Sequence, residues 1–386
     1  MLFQVPDLPP AFLDVIREID ADREELRFHL QQQPRRWTGL LRRSTFARAI
    51  QGSNSIEGFN VTVDDAVAAV DQEEPIDEKS EAWVAVNGYR AAMSYVLQLA
   101  DDPFYIHNEG TLRSLHYMMT GYDLTKNPGR WRPGLIFVKH EPTGETVYEG
   151  PDVELVPGLM AELVVSLNAT QNTSPLVRAA LAHLNLVMIH PFSDGNGRMA
   201  RAMQTFVLAR AHILDPHFSS IEEYLGQNTD DYYRVLSEVG RGAWHPENDA
   251  LPWLKFCLTA HYRQAETLRR RTKEMERLWN YLEDFLRQRG LNERYMVALA
   301  DAALGYRIRN SSYRKLVEVT EQTAGRDLLK LSETGLLESR GEKRARHYVA
   351  GEELKQAWKR MQQIRTITDP FSGTHVTVAA RLQSQF

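Results

Sequence analysis

The segment HPFSDGNGRMAR, from His190 to Arg201, concentrates residue types that can bind phosphate and accept a proton. Gly195 and Gly197 allow a tight backbone just before a helix begins, where free N–H groups and the helix dipole favour phosphate oxygens. Asp194 offers the hard oxygen ligand that Mg²⁺ takes when it is shared with nucleotide phosphates. The segment therefore predicts a loop that binds ATP together with magnesium.

Other side chains of the same segment are suited to bind the polyphosphate and to accept a proton from an attacking group. Arg198 and Arg201 lie three positions apart on the predicted following helix, so both guanidinium groups can face one bound polyphosphate. His190 has an ordinary pKa of about 6.5 and can accept a proton from an attacking hydroxyl near neutral pH. Phe192 is apolar in a polar loop and is expected to anchor it in the core. For any one of these residues taken alone, a glycine-containing turn with solvated charges is the alternative.

Helical periodicity dominates the sequence around this loop. Apolar residues recur three and four positions apart in residues 12–30, 81–100 and 153–168. Within residues 175–208, a proline and two glycines interrupt the periodicity, so two helices flanking the loop are expected. The predicted fold class is mainly α.

One segment departs from helical periodicity. Between Ile136 and Pro151, apolar and β-branched residues flank the turn-forming Pro142, Thr143 and Gly144, which predicts a short β-hairpin. Such a hairpin can serve a binding site or simply cover the edge of the core.

The chain divides into four predicted parts. They are an N-terminal helical region (1–95), a catalytic core (96–285), a small domain (290–350) and a C-terminal tail (351–386). The small domain reads as three helices followed by two short strands, an order that resembles a winged helix-turn-helix.

The small domain is locally basic, with ten Lys or Arg against six Asp or Glu between Gly305 and Tyr348. Phosphate contacts to DNA are one interpretation, and winged helices also bind proteins. The candidate DNA-contacting residues are Arg307, Arg309, Arg326, Lys330, Arg340, Lys343, Arg344 and Arg346.

Composition limits the partners and the compartment. The formal net charge of −5 and the pI near 6.2 argue against a chain that coats nucleic acid or an anionic membrane along its whole length. A single cysteine, Cys257, excludes an intramolecular disulfide and fits a reducing compartment, so a cytoplasmic location is expected. No apolar run approaches the roughly 20 residues of a membrane span, and no membrane partner is expected.

The pattern HPFxDGNGRxxR matches the signature of the Fic family at every defining position. The chain resembles Fic enzymes in helix order over roughly residues 1–285, and the strongest match lies between Leu181 and Arg201. The resemblance implies a Fic helical fold that transfers AMP from ATP to a Tyr, Ser or Thr hydroxyl of a target protein and releases pyrophosphate. Phosphotransferring relatives similar to Doc toxins depart from the glycine-asparagine pattern, so Gly195 and Asn196 favour AMP transfer.

The resemblance also implies a role for each matching residue. His190 is the base, Asp194 holds Mg²⁺, and the phosphates are bound by Gly195, Asn196, Gly197, Arg198 and Arg201. The hairpin takes the place of the family's flap, which positions the target's backbone by strand addition. Tyr232 and Tyr233 resemble the family's adenine-side aromatic pair, with burial in the core as the open alternative.

A second motif lies far upstream, where Ser53 to Gly58 (SNSIEG) fits the family's inhibitory pattern of Ser or Thr, three residues, then Glu-Gly. Ser53 and Glu57 would share one helical face, and Gly58 would end the helix. In the family this glutamate pairs with the second motif arginine, here Arg201, in the place of the γ-phosphate. We therefore predict an enzyme of low activity that the loss of Glu57 activates.

Two rival functions remain open at this stage. Glu57 could position water so that the protein removes AMP from a modified target. Alternatively, the chain is a DNA-binding transcriptional regulator whose Fic unit senses ATP or modifies its own chain. A homodimer, common among related enzymes, is also an open expectation.

His183 lies seven positions before His190, but no third potential metal ligand accompanies the two. His183 is therefore expected to be a core residue.

Overall fold

The computed structural model describes residues 1–31, 36–75, 80–139, 143–169, 172–212, 216–363 and 367–372 of the 386-residue chain. Within these ranges the protein forms fifteen α-helices and four short β-strands. The mainly helical fold class predicted from the periodicity is confirmed. The first eight helices are α1 (Pro10–Gln31), α2 (Arg36–Ile56), α3 (Val63–Val70), α4 (Glu81–Asp101), α5 (Glu109–Thr120), α6 (Val156–Asn168), α7 (Pro175–Ile189) and α8 (Asn196–Arg210). The remaining helices are α9 (Glu222–Gln227), α10 (Thr229–Gly240), α11 (Leu251–Gln288), α12 (Tyr295–Ala303), α13 (Asn310–Leu316), α14 (Glu321–Glu333) and α15 (Glu352–Met361).

The strands form two separate antiparallel pairs. Strands β1 (Phe137–Lys139) and β2 (Thr146–Glu149) make up the hairpin predicted between Ile136 and Pro151, although Pro142 of the predicted turn lies outside the described residues. Strands β3 (Leu337–Arg340) and β4 (His347–Ala350) pair near the C-terminus.

The central helices are α7 and α8, and they pack closely against each other. Helix α7 begins at Pro175, whose missing N–H costs nothing in a first helical turn, after the capping hydroxyl of Ser174. It ends where His190 adopts a left-handed conformation with φ of 51°. Helix α8 starts after Gly195, which has φ of 74°. The two helices and the intervening loop therefore stand as the proline and glycine positions predict.

Two apolar cores share the longest helices. The first core surrounds α7 and α8 and draws on α4, α5, α6, α10 and the N-terminal half of α11. The second core joins the C-terminal half of α11 to helices α12–α15 and the second strand pair. It also includes Leu26 and Leu30 of α1 with Trp37, Leu40 and Leu41 of α2. The C-terminal unit, residues 291–361, is thus packed against the first two helices of the chain.

Two of the predicted boundaries differ from the structure. The boundary at residues 95/96 falls inside α4, which runs unbroken because its buried face continues from Trp83 to Ala100. The segment 351–386, predicted as a tail, begins with helix α15, which buries Leu354 and Ala357 against the second core. Residues 373–386 lie outside the described part of the chain. No helix in the described part is both long and apolar enough to cross a membrane.

A line of hydrogen-bonded polar side chains crosses the first core. Arg23 contacts Nδ1 of His261 at 3.1 Å, and Nε2 of His261 lies 3.2 Å from the amide of Gln204. The same amide lies 2.6 Å from Nδ1 of His183, whose Nε2 lies 3.0 Å from the hydroxyl of Tyr232. His183 is therefore a satisfied core residue, as the sequence predicts, and burial lowers its pKa to about 3.

Buried histidines predict that acid destabilises the fold. Burial lowers the pKa of His107 and His116 to about 4 and that of His183 to about 3, against 6.5 in the unfolded chain. Below pH 6.5 the unfolded chain takes up protons that the folded chain refuses, so each histidine lowers the free energy of unfolding by about 1.4 kcal/mol per pH unit. Denaturant unfolding at about pH 7 and pH 5 measures this fall.

A matched pair of variants tests the cause. His183→Gln, which keeps polar groups but cannot protonate, should lose less stability on acidification than the wild-type protein. His245→Gln, a change at an exposed histidine, should lose as much as the wild type. Identical acid sensitivity in all three proteins would contradict the assignment.

Candidate functional site

The left-handed turn at the end of α7 orients the imidazole of His190. The backbone N–H of His190 donates to the carbonyl of Leu186 at 3.1 Å, which closes the helix. Nδ1 of the ring lies 3.0 Å from the carbonyl oxygen of Val187. Because a carbonyl only accepts, Nδ1 carries the proton and donates it, which leaves Nε2 with a free lone pair. The ring is thus held in the tautomer that a general base needs.

The surroundings of His190 keep the ring neutral. Burial lowers the pKa of His190, and the hydrogen bond to Val187 and the negative charge of Glu57 oppose this effect without reversing it. The net direction is a pKa below 6.5. At neutral pH the imidazole can therefore accept a proton.

The loop after His190 is closed by one asparagine. Oδ1 of Asn196 accepts the N–H of Phe192 at 2.9 Å, and Nδ2 of Asn196 donates to the carbonyl of Phe192 at 2.9 Å. The ring of Phe192 is fully buried and stacks on His116 with a centroid distance of 3.7 Å. Gly195 lies so close to Thr120 that a Cβ atom would approach its methyl group to 3.0 Å. These contacts fix the backbone that leads into the N-terminus of α8.

Arg198 brings a buried positive charge to this N-terminus. Its side chain is 0% exposed, and none of its three guanidinium nitrogens has a hydrogen-bond partner within the described ranges. Asp194 lies 3.7 Å from Nη2, and the ring of Phe59 lies 5.1 Å from Cζ. Buried guanidinium groups are normally saturated with acceptors, so Arg198 is suited to bind an anionic ligand through several N–H groups.

Arg201 is also buried, but its acceptors come from the upstream motif. Nε donates to the hydroxyl of Ser53 at 2.8 Å, and Nη2 donates to the Ser53 carbonyl at 2.9 Å and to Oε1 of Glu57 at 2.7 Å. Burial lowers the pKa of Arg201, but the Glu57 carboxylate more than offsets this and the net shift is upward. Gly58, with φ of 80°, follows the last residue of α2 by two positions. The structure thus brings together the two motifs that lie 148 positions apart.

The carboxylate of Glu57 occupies the position where the N-terminus of α8 favours an anion. A Cβ atom added to Gly197, in the first turn of α8, would collide with Oε1 of Glu57 and lie 3.0 Å from Nη1 of Arg201. Helix N-termini attract negative groups through free N–H groups and the helix dipole. Glu57 therefore takes the kind of place that a phosphate oxygen of a bound nucleotide would need.

Asp194 is placed to share a cation. Nζ of Lys126 lies 3.0 Å from its Oδ2, and the carboxylate is 36% exposed. Burial raises the pKa of Asp194, but the hydrogen bond from Lys126 and the charge of Arg198 outweigh it, so the net shift is downward. An ionised, accessible carboxylate beside a phosphate-binding loop fits the ligand chemistry of Mg²⁺, which combines one or two carboxylates with phosphate oxygens and water. No group of three or more potential metal-ligating side chains occurs in the described ranges, at Asp194 or away from it, so the other ligands would have to come from the nucleotide and from water.

Sequence reasoning missed three residues of this site. Arg132 donates to the carbonyls of His190 at 3.0 Å, of Gly134 at 2.5 Å and of Pro151. It therefore joins the loop between α7 and α8 to the base of the hairpin. Lys126 holds Asp194, and Phe59 faces Arg198. Their signals are weak, because a lone Arg, Lys or Phe outside a motif is usually a surface or core residue.

The predicted adenine-side pair divides into one buried and one exposed ring. Tyr232 is 1% exposed and packs against Trp253, with its hydroxyl at His183. Tyr233 is 48% exposed, and its hydroxyl donates to the carbonyl of Ile56 at 3.3 Å. Of the two rings, it is the exposed Tyr233 that lies beside the upstream motif.

The basic residues of the C-terminal unit do not form one free surface. Arg307 is paired with Asp64 and Asp65, and Arg309 donates to the backbone carbonyl of Glu74. Arg340 pairs with Glu338 on β3, and the side chain of Arg344 lies outside the described residues. The remaining candidates for DNA contact are Arg326, Lys330, Lys343 and Arg346.

The comparisons with known proteins agree with this geometry. Residues 106–208, which include the whole loop, match the model of the Fic/DOC family. A protein adenylyltransferase Fic of Nematostella vectensis is 27% identical over 216 residues, which are 55% of this chain and 46% of that relative. A protein of the same name from Drosophila grimshawi is 31% identical over 222 residues, 56% of this chain and 41% of the relative. The matches thus span less than half of these curated relatives.

Solved structures show the same fold. A Fic family protein from Desulfovibrio desulfuricans aligns with a TM-score of 0.58 at 23% identity over 91% of this chain and 98% of its own. Fic-1 of Caenorhabditis elegans aligns with a TM-score of 0.54 at 21% identity over 67% of this chain and 71% of its own. The chain thus has a mainly helical fold of the kind seen in these Fic proteins. The part of this chain that matches the Fic/DOC family is residues 106–208, and the curated relatives it resembles are named protein adenylyltransferase Fic.

The two buried arginines predict strong and separable binding of a polyphosphate. Inorganic tripolyphosphate should bind the Glu57→Gly variant at least about tenfold more tightly than the wild-type protein, because the Glu57 carboxylate no longer competes for Arg201. Adding Arg198→Gln to that variant should weaken binding by about tenfold or more. Isothermal titration calorimetry measures both changes. Arg234→Gln, at an exposed arginine of α10, should leave affinity unchanged; equal affinities in all proteins would refute the site.

Proposed function

We propose that this protein transfers AMP from ATP to a hydroxyl side chain of a protein, its own chain included, and that Glu57 inhibits the transfer. The observation that carries the proposal is the position of His190, with a free Nε2, at the mouth of a loop that leads to two buried arginines. A proton acceptor beside an anion-binding helix N-terminus supplies the two elements of nucleotidyl transfer. The names of the curated relatives support the same reaction.

In this reaction His190 removes the proton from the acceptor hydroxyl at Nε2. The oxygen attacks the α-phosphorus of ATP, an O–P bond forms, and the bond to the β-phosphate oxygen breaks. Arg198, Arg201 and the N–H groups of the first turn of α8 hold the departing pyrophosphate and neutralise its growing charge. Mg²⁺ on Asp194 would supply further charge neutralisation at the phosphates. The imidazolium then returns the proton to solvent.

The hairpin is suited to hold the target because only one of its edges is open in the described part of the chain. The outer edge of β2 is covered, since Glu149 donates to the carbonyl of Gly242 at 2.9 Å and bridges to Ala243 in parallel. Strand β1 has no neighbour other than β2 within the described residues, and it presents Phe137 and Lys139 to solvent. An extended target segment can therefore add to β1 and bring its hydroxyl toward His190.

Inhibition follows from competition for Arg201. The Glu57 carboxylate and a nucleotide phosphate need the same guanidinium and the same helix N-terminus. Both anions cannot be there together, because two like charges at contact distance repel. ATP therefore binds productively only when Glu57 leaves, and the fraction of molecules in which it has left sets the activity.

The decisive experiment labels the α-phosphate of ATP. Wild-type protein, Glu57→Gly and Glu57→Gly/His190→Ala are incubated with Mg²⁺, labelled ATP and cell extract, and label on protein is measured. We expect at least about tenfold more label with Glu57→Gly than with the wild type, because loss of a competing contact of 1–3 kcal/mol corresponds to 5–150-fold. The label should vanish when His190→Ala is added. Glu247→Gly, at an exposed glutamate, controls for the substitution itself.

The other outcomes assign the rival functions. Equal label in the wild type and in Glu57→Gly would refute inhibition by Glu57. No label in any protein, together with release of AMP from a purified adenylylated protein, would instead establish AMP removal. A folded His190→Ala double variant that still labels protein would refute His190 as the base.

The pH dependence of the transfer tests the state of His190. The folded pKa of His190 lies below 6.5, and removing Glu57 removes a charge that raises it. The neutral, active ring should therefore persist below pH 6.5, and the rate of Glu57→Gly under kcat/KM conditions should fall to half only at a lower pH. An acid midpoint above 6.5, with the protein still folded by circular dichroism, would contradict this assignment.

A further inference from the structure

The inhibitory motif lies between two points at which the C-terminal unit holds the N-terminal helices. Upstream, Arg43 of α2 donates through Nη2 to Asp301 of α12 at 2.5 Å, and both side chains are buried. Downstream, α3 begins at Val63, only six positions after Glu57. The segment that carries Glu57 is therefore short and held at both ends.

The downstream contact is a forked ion pair. Arg307 donates its backbone N–H to Oδ1 of Asp64 at 2.6 Å, and its Nε donates to the other oxygen of Asp64. Its Nη2 donates to Asp65 at 2.9 Å. All three side chains are at most 20% exposed, so the pair is shielded from water and fixed in direction. Isolated surface pairs lack both properties.

The segment after α3 is held by helix α13 of the C-terminal unit. Lys315 of α13 lies 2.6 Å from Glu73, and the hydroxyl of Ser311 donates to Glu73 at 2.5 Å. The Glu73 side chain is 8% exposed, and these donors lower its pKa despite partial burial. Arg309 donates to the carbonyl of Glu74. Arg307, Arg309 and Lys315 thus contact an acidic segment of their own chain. Arg307 and Arg309 are two of the residues that the sequence suggested for contacts to DNA phosphates.

An apolar contact completes the interface. Ala66 and Val67 of α3 pack with Ala47 of α2 and with Tyr306, which lies beside Arg307. These four residues are buried and form a cluster separate from the two large cores. The C-terminal unit therefore contacts α2 and α3 at once and sets the distance between them.

We propose that the basic surface of Arg307, Arg309 and Lys315 is a docking site for the acidic segment 64–74 of the same chain, and that this docking holds Glu57 on Arg201. The inference rests on the proposed inhibition and extends it to the C-terminal unit. Glu57 can move away from Arg201 only if α2 and α3 shift. The ion pairs of Arg307 and Lys315 with the acidic segment oppose that shift. A partner that takes Arg307, Arg309 and Lys315 away from the acidic segment would activate the enzyme.

The test removes a basic residue of the docking site, on the side of the C-terminal unit, and leaves the sequence of α2 and α3 intact. Arg307→Gln should increase protein labelling by ATP by about fivefold or more relative to the wild type, the lower end of typical coupling between sites. In the Glu57→Gly background the same change should have no effect, because no inhibitory contact remains to be released. Glu338→Gln, which breaks exposed ion pairs elsewhere in the C-terminal unit, is the matched control and should label like the wild type.

A second variant excludes a defect of Arg307→Gln alone. Asp64→Asn removes the other partner, so it should activate to a similar degree, and the double variant should add little, as expected for two residues of one interaction. Activation by Arg307→Gln that persists undiminished in the Glu57→Gly background would overturn the proposal. So would wild-type labelling in both single variants, provided that Glu57→Gly itself is active.

Binding separates this inference from the proposed reaction. If Glu57→Gly transfers no AMP, the proposed reaction fails, but the dock is still tested by calorimetry with inorganic tripolyphosphate. Arg307→Gln should then bind tripolyphosphate about fivefold more tightly than the wild type, again by release of Arg201 from Glu57. If Arg307→Gln binds tripolyphosphate with the affinity of the wild type while Glu57→Gly binds it more tightly, the proposed docking is refuted and the competition of Glu57 for Arg201 is not.

Discussion

The buried positive charge of Arg201 is the constraint on which the rest of the structure depends. A guanidinium at 1% exposure cannot recover its hydration, and leaving such a charge uncompensated costs several kcal/mol. Some anion must therefore lie against it in every populated state. In this structure that anion is Glu57, supported by the hydroxyl and carbonyl of Ser53. In a nucleotide complex it would be a phosphate. The proposed inhibition would in this sense depend on the burial of the arginine as much as on the glutamate, because burial makes the two anions exclude each other.

The geometry around Arg201 depends on two residues with left-handed backbone conformations, which are the first and the last residue of the six-residue loop 190–195. His190 ends α7 and Gly195 precedes α8, so the chain reverses without a long connection and the two helices pack along their lengths. Glycine adopts this conformation freely, whereas histidine does so at a cost that the surrounding contacts must offset. Arg132, through the His190 carbonyl, and Val187, through the ring, provide such contacts. The Val187 contact also sets the ring tautomer, so one hydrogen bond both supports the left-handed residue and orients the imidazole.

The sequence predicted the loop because its chemistry is local. Glycine, aspartate and arginine at fixed short spacings dictate a turn, a helix start and one cationic face, and the structure places them so. The pairing of Glu57 with Arg201 needed the family resemblance, since no periodicity connects residues 144 positions apart. Arg132, Lys126 and Phe59 escaped prediction because each acts through tertiary contacts alone. The predicted boundary at 95/96 falls inside α4, because the continuity of this helix is decided by its buried face.

The two motif arginines are in different states, and under the proposed function this difference would let an inhibited site still attract its ligand. Nε and Nη2 of Arg201 have acceptors, whereas within the described residues no nitrogen of the Arg198 guanidinium has one, and a distant carboxylate and an aromatic ring lie beside it. A polyphosphate that enters therefore gains the unsatisfied N–H groups of Arg198 before it displaces anything. Phe59, which faces Arg198, follows Glu57 by two positions, so a displacement of Phe59 also displaces Glu57. Under the proposed function, a phosphate that binds Arg198 would therefore act on the segment that contacts Arg201, and the strength with which α2 and α3 are held would decide whether Glu57 is displaced.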